Sequence, residues 1–430
     1  EMGFPTTPPS NAADYVLGNV HIPPALCDLT PGRDGWCAGD IEVQKGQIKA
    51  VVQAGGLAGK DAPYIDAGQG ILLSALVDCH THLDKAHVAA FTDFPPGDLA
   101  QAIAAMAENL QSWTAENLRA RAEFSLQTAY ANGVRAMRSH VGVGPTMPDF
   151  VWPVLQEIAQ DWRGRIDLQL SPLTDVLSFD DADLARMIYA TAADQGRVGM
   201  FLYHQPDMAI RLRRVFDYAN TQGWDIDLHV DEGLGPDLDG LHTVANVALE
   251  TGFKGTILCG HCVALNSYTA LRRKAVIARA REAGLHFVAL PTTNLYLQGR
   301  GTNGIIGPRG MAPVALLSDR GATVSLGADN VRDGFCAFGD FDPLAVLHLG
   351  AQLGHLHQPA RDWAQLITTN PAQTMGLDWS GMIRPGAPAD LVLMAARDSG
   401  EMSLTPAPTR QVIRAGKWLN IASPDPRDLT

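Results

Sequence analysis

Between about residues 71 and 376, short runs rich in Val, Ile and Leu alternate with longer amphipathic stretches, and this rhythm restricts the fold more than any other feature. Eight runs read as strands: ILLSALVDCH, GVRAMRSH, IDLQLS, VGMFLY, IDLHVDE, GTILCGH, LHFVALP and ATVSLGAD. Stretches such as DLAQAIAAMAENLQ and IRLRRVFDYANTQG separate them with helical spacing. Near-continuous apolar strands alternating with helices belong in a parallel sheet covered on both faces. Eight such units close into a (β/α)8 barrel, so the expected class is α/β with a TIM-type barrel. Before and after it, VLGNVHI, DIEVQKGQIKAVVQ, ADLVLMA and RQVIRAGKWL alternate with period two and are separated by Gly-rich turns. They predict a small β-sandwich built from both chain ends. The expected domains are 13–72 with 377–425 for this composite β unit and 73–376 for the catalytic barrel.

A parallel barrel brings all its strand C-termini to one mouth. The runs end in His80 and His82, His140, His204, His229 with Glu232, His261, and Asp329. A single His of this kind is ordinarily a satisfied core side chain, but five tips carrying one point to a site. His80-Thr81-His82 places two imidazoles on the same face of one strand. One more His and a carboxylate complete a catalytic metal site with an open position, and His229 and Asp329 are the natural candidates.

Composition excludes other classes. The net charge is −13 with no long basic run, which argues against nucleic acid or an anionic membrane as partner. A small neutral or cationic substrate fits better. No apolar run reaches the roughly 18 residues of a membrane helix, and the first residues lack a basic segment and an apolar core, so a cytoplasmic protein is expected. Six scattered cysteines read as free thiols rather than a disulfide framework. Cys259-Gly260-His261-Cys262 spells C-x-x-C, but no second pair accompanies it as a structural zinc site requires.

The motifs VDCHTHLDKAH, DLHVDEG, LCGHCVAL, NLYLQGR and SLGADNVRDGFCAFGD occur in an order that resembles the cytosine deaminase family of the amidohydrolase superfamily. The likeness spans nearly the whole chain. It implies that His80, His82, His229 and Asp329 hold one divalent metal, that Glu232 shuttles protons, and that His261 orients or polarises nucleophile and substrate. It also suggests a homo-oligomer. The metal identity stays open, because three imidazoles and a carboxylate suit zinc, iron(II) or manganese. Two-metal relatives bridge their ions with a mid-barrel lysine, yet none occurs between Lys85 and Lys254. A mononuclear centre is therefore expected.

The implied chemistry is hydrolytic deamination of a small nitrogen heterocycle, cytosine or a cytosine-like aminopyrimidine, by metal-activated hydroxide with release of ammonia. A carboxylate that takes the water proton and passes it on contributes roughly 10²–10⁴-fold. Strict strand alternation puts Asp231, not Glu232, on the face of His229, so Glu232 serves only if the strand ends before it. Members acting on cytosine carry a Gln after the third strand, where Leu173, Thr174 and Asp175 stand here; isocytosine-like or substituted rings are expected to do better. Asn330 follows the metal Asp, a feature shared with hydrolases of triazine alkylamines. The alternative reading is an amidohydrolase cleaving another C–N bond, an N-alkylamine of a triazine or a cyclic amide. Lys85, His204 and Gln298 are further candidates for contact with substrate, and Lys85 can equally pair with Asp84.

Overall fold

A computed structural model provides the fold and describes residues 4–5, 13–300, 304–305, 307–403 and 405–429. The chain divides into two compact units, one of residues 1–78, 127–136 and 342–424, the other of 79–126, 137–341 and 425–430. The first contains β1 (Tyr15–Ile22), β2 (Cys37–Gln44), β3 (Gln47–Gln53), β4 (Tyr64–Asp66) and β5 (Ile71–Ser74). The parallel strands are β6 (Leu76–Thr81), β7 (Val134–Gly142), β8 (Asp167–Asp175), β9 (Arg197–Leu202), β10 (Asp225–Val230), β11 (Ile257–His261), β12 (His286–Ala289) and β13 (Val324–Leu326). The C-terminal strands β14 (Leu391–Met394), β15 (Arg410–Arg414) and β16 (Lys417–Leu419) complete the list.

Strands β6 to β13 line up in sequence order in one eight-stranded sheet. A parallel bridge joins Thr81 to Asp329, and the Asp329 amide donates to the His80 carbonyl at 2.9 Å. The segment after the last strand thus meets the first strand, as barrel closure requires. All eight expected runs appear here, with one adjustment. ILLSALVDCH is two strands: Ile71–Ser74 pairs antiparallel with β14, and Leu76–Thr81 opens the barrel. Every residue of both pieces is buried, so burial does not announce the change of sheet.

The two chain ends share one hydrogen-bonded sheet of order β16-β15-β14-β5-β1-β2-β3, with β4 on β1. This differs from two separately bonded sandwich layers. Strand β1 makes the difference, because it pairs antiparallel with β2 and parallel with β4 and β5. The sheet also folds back on itself, since Gly46 and Ile48 exchange backbone hydrogen bonds with residues 386–389. Its core is Tyr15, Leu17, Ile22, Ile41, Val43, Leu72, Val392 and Ile413, all essentially fully buried. No helix among the described residues is long and apolar enough to cross a membrane.

Candidate metal centre and substrate cavity

Three strand tips build the cluster. Alternation along β6 sends His80 and His82 to one side, β10 supplies His229, and the bridge to Thr81 fixes Asp329 opposite. His82 Nε2 lies 3.1 Å and His80 Nε2 3.4 Å from Asp329 Oδ1, and His229 Nε2 lies 3.3 Å from His82 Nε2. All four residues are buried. Both oxygens of Asp329 lack a hydrogen-bond partner of good geometry. Such orphaned oxygens facing converging lone-pair nitrogens are unfavourable by themselves and form a fitting donor set for a divalent cation. Burial opposes ionisation of Asp329, yet the imidazoles of His80 and His82 hold its carboxyl well below the usual carboxylate range. Burial and then the His80 ring push His229 well below the usual imidazole range, keeping it neutral as a ligand must be.

Gly260, one residue before His261, makes room for this arrangement. A Cβ there would come within 2.9 Å of His80 Cε1. His261 has a φ of 69°, and one of its ring nitrogens lies within 4.8 Å of donor atoms of His80, His229 and Asp329. Its ring is set by Asn294, whose Nδ2 lies 3.0 Å from His261 Nδ1. The His261 Nε2 is buried without a hydrogen-bond partner. Asn294 lies in the quoted NLYLQGR motif, but residue type alone did not single it out.

The choice between Asp231 and Glu232 turns on one backbone angle. Strand β10 ends at Val230, and Asp231 has a φ of 50°, which breaks the alternation. Asp231 instead accepts from the amides of Gly240 and Leu241 at 2.9 Å each, capping the helix Gly240–Thr251. Glu232 turns toward the cluster with Oε1 3.8 Å from His261 Nδ1. Burial first, and the Asp329 charge second, push its carboxyl up to about 8. Asp231→Ala is therefore expected to cost about 1–2 kcal/mol of stability, as lost helix caps do, while metal content stays unchanged. A denaturant midpoint matching wild type, or loss of metal, would contradict this assignment.

A cavity of about 660 Å³ opens from the cluster. His82, His229, Glu232, His261, Lys85, Leu173, Thr174, Asp175 and Asn330 line it. Lys85 Nζ lies 3.0 and 3.2 Å from the oxygens of buried Asp84, so its charge is paired. Asp175 accepts from the Leu177 amide at 2.8 Å. Asn330 Nδ2 donates to Asp333 Oδ2 at 2.6 Å. Two candidates fall outside the cavity lining: His204 is exposed, and Gln298 accepts from the Gly310 amide at 2.8 Å. Sequence reasoning overlooked the apolar wall of Phe201, Tyr203, Phe335, Ile103 and Met106. Phe201 and Tyr203 are two positions apart at the end of β9, and Leu99, Ile103, Met106 and Leu110 form an i, i+4, i+7, i+11 stripe; both patterns were legible signals.

Residues 168–419 match the profile of the amidohydrolase family. The pterin deaminase of Rhizobium rhizogenes is 34% identical over 434 aligned residues, covering 100% of this chain and 99% of its own length. The 5-methylcytosine deaminase of Klebsiella pneumoniae, solved with phosphonocytosine, superposes with a TM-score of 0.81 at 22% identity, covering 95% of this chain and 98% of that one. The N-isopropylammelide isopropylaminohydrolase of Burkholderia multivorans gives a TM-score of 0.76 at 21% identity over 95% and 98%.

Proposed function

The chain belongs to the amidohydrolase family and is a hydrolytic deaminase, and from that premise we propose that it deaminates a fused 2-amino-4-oxopyrimidine ring, a pterin or close relative. The observation that carries this reading is the full-length likeness to a pterin deaminase. A pterin contains the isocytosine edge, an amine on a carbon between two ring nitrogens, which agrees with the expectation drawn from Leu173 to Asp175. The cavity has room for two fused rings. In the balanced reaction, water adds its oxygen to the amine-bearing carbon, the C–N bond breaks, and the oxo product and ammonia leave.

His80, His82, His229 and Asp329 would hold one divalent ion in the barrel 73–376, with 13–72 and 377–425 as its companion domain. When bound, such an ion supplies an acidified water at neutral pH. Glu232 would take one proton from the attacking water and give it to the ring nitrogen, then carry the remaining proton of the added hydroxyl to the departing amine. His261, oriented by Asn294, would donate to the developing oxyanion. The Asn330 amide is oriented by Asp333, and Phe201 and Tyr203 exclude water from the ring faces.

An ammonia-release panel of pterin, isocytosine, cytosine, an N-alkylaminotriazine and creatinine tests this. We expect kcat/KM for pterin to exceed that for cytosine by about 10- to 100-fold, the equivalent of one mismatched buried polar group at 1–3 kcal/mol. A preference for cytosine would overturn the ring assignment. Alkylamine release from the triazine, with no ammonia from any aminated ring, would replace the reading by the alternative C–N hydrolase.

A further inference from the structure

Two residues before His229 on β10 stands Asp227, and two before His140 on β7 stands Arg138. By alternation these lie on the same faces as the two histidines, one layer deeper. Arg138 NH1 donates to Asp227 Oδ2 at 2.9 Å, and its Nε and NH2 donate to Gln169 Oε1 at 3.0 and 2.9 Å. Arg197 donates to the same Gln169 oxygen and to the Leu170 carbonyl. The other Asp227 oxygen, Oδ1, has no hydrogen-bond partner and lies 3.7 Å from His140 Nε2. His140 Nε2 in turn lies 3.2 Å from His80 Nδ1. Arg138, Asp227 and His140 are each no more than 2% exposed. A buried ion pair contributes little net stability compared with an apolar core, so stability alone does not account for it.

We propose that His140 is a positioning residue for His80: its Nε2, 3.2 Å away, accepts the His80 Nδ1 proton and leaves the His80 Nε2 lone pair for the divalent ion. A neutral imidazole carries one proton. A ring that coordinates through Nε2 must therefore hold its proton on Nδ1 and needs an acceptor there. Metal-bound histidines ordinarily hand that proton to a carboxylate, carbonyl or water; here a second imidazole takes it. The inference rests on the ligand set proposed above.

Two measurements test it. In zinc-loaded wild-type protein, nitrogen–proton correlation spectra of the histidine rings are expected to show His80 protonated at Nδ1 and His140 unprotonated at Nε2. A proton on His140 Nε2 would overturn the proposal. In chelator competition, His140→Leu is expected to weaken zinc binding about 10- to 100-fold, the usual cost of losing such support. His140→Gln, whose Oε1 can accept the same hydrogen bond, should recover most of that loss. Wild-type affinity in the Leu variant, or Gln as weak as Leu, would also overturn it. If the Leu variant does not fold, the wild-type spectra still decide. Wild-type protein that binds no zinc would refute the ligand set itself, whereas tight wild-type binding unaffected by either substitution would refute only the role of His140.

Discussion

Glu232→Gln is expected to lower turnover by at least about 10²-fold, the lower end for a lost general acid–base, with the fold and metal content unchanged. The carboxyl borders the metal cluster at 15% side-chain exposure, and Asp329 is the charge that helps push it up. A carboxyl held up to about 8 titrates near neutral pH, as a group that both collects a proton from water and donates one to a ring nitrogen or departing amine requires. A cation in the cluster pulls the value down again, which allows the carboxylate to collect the next proton from water. Glutamine preserves size and polarity but can neither gain nor lose a proton in this range. Its substitution therefore removes proton transfer and little else. Metal analysis beside steady-state kinetics checks the point; a metal-loaded variant with near-wild-type kcat would remove Glu232 from the mechanism.

Asp329→Ala is expected to strip the metal and activity together. Three imidazoles and one carboxylate converge in this cluster, and the carboxylate is the only negative charge among the proposed ligands. Losing it should weaken binding by more than the roughly 10- to 100-fold cost of losing a supporting residue. Wild-type protein should carry one equivalent of divalent metal; two equivalents, both lost in His80→Ala, would refute a mononuclear centre. Cys262→Ser is the control, since this thiol is buried against the carbonyls of Cys259 and Gly260 at 3.9 and 3.8 Å. If that control lost its metal while Asp329→Ala kept it, the ligand set would be wrong.

The sequence by itself determined the eight-unit rhythm, the H-x-H at the end of the first barrel strand, and the gathering of His229, His261 and Asp329 at strand tips. These features are periodic or local, and barrel topology converts periodicity into convergence without further information. What only the tertiary structure decided were matters of a single dihedral or of contacts between distant residues. Sequence alternation favoured Asp231 as the partner of His229; a φ of 50° at that residue turned Glu232 inward and made Asp231 a helix cap. The apolar run before His80 proved to be two strands in two sheets, because hydrophobicity reports burial and not the pairing partner. His204, at a strand tip, and Gln298, in a quoted motif, fell outside the cavity lining, while Asn294 and His140 meet ring nitrogens of His261 and His80, 33 and 60 residues away. Side-chain orientation at a strand tip depends on where the strand stops and what packs against it, and closure of the barrel sets both.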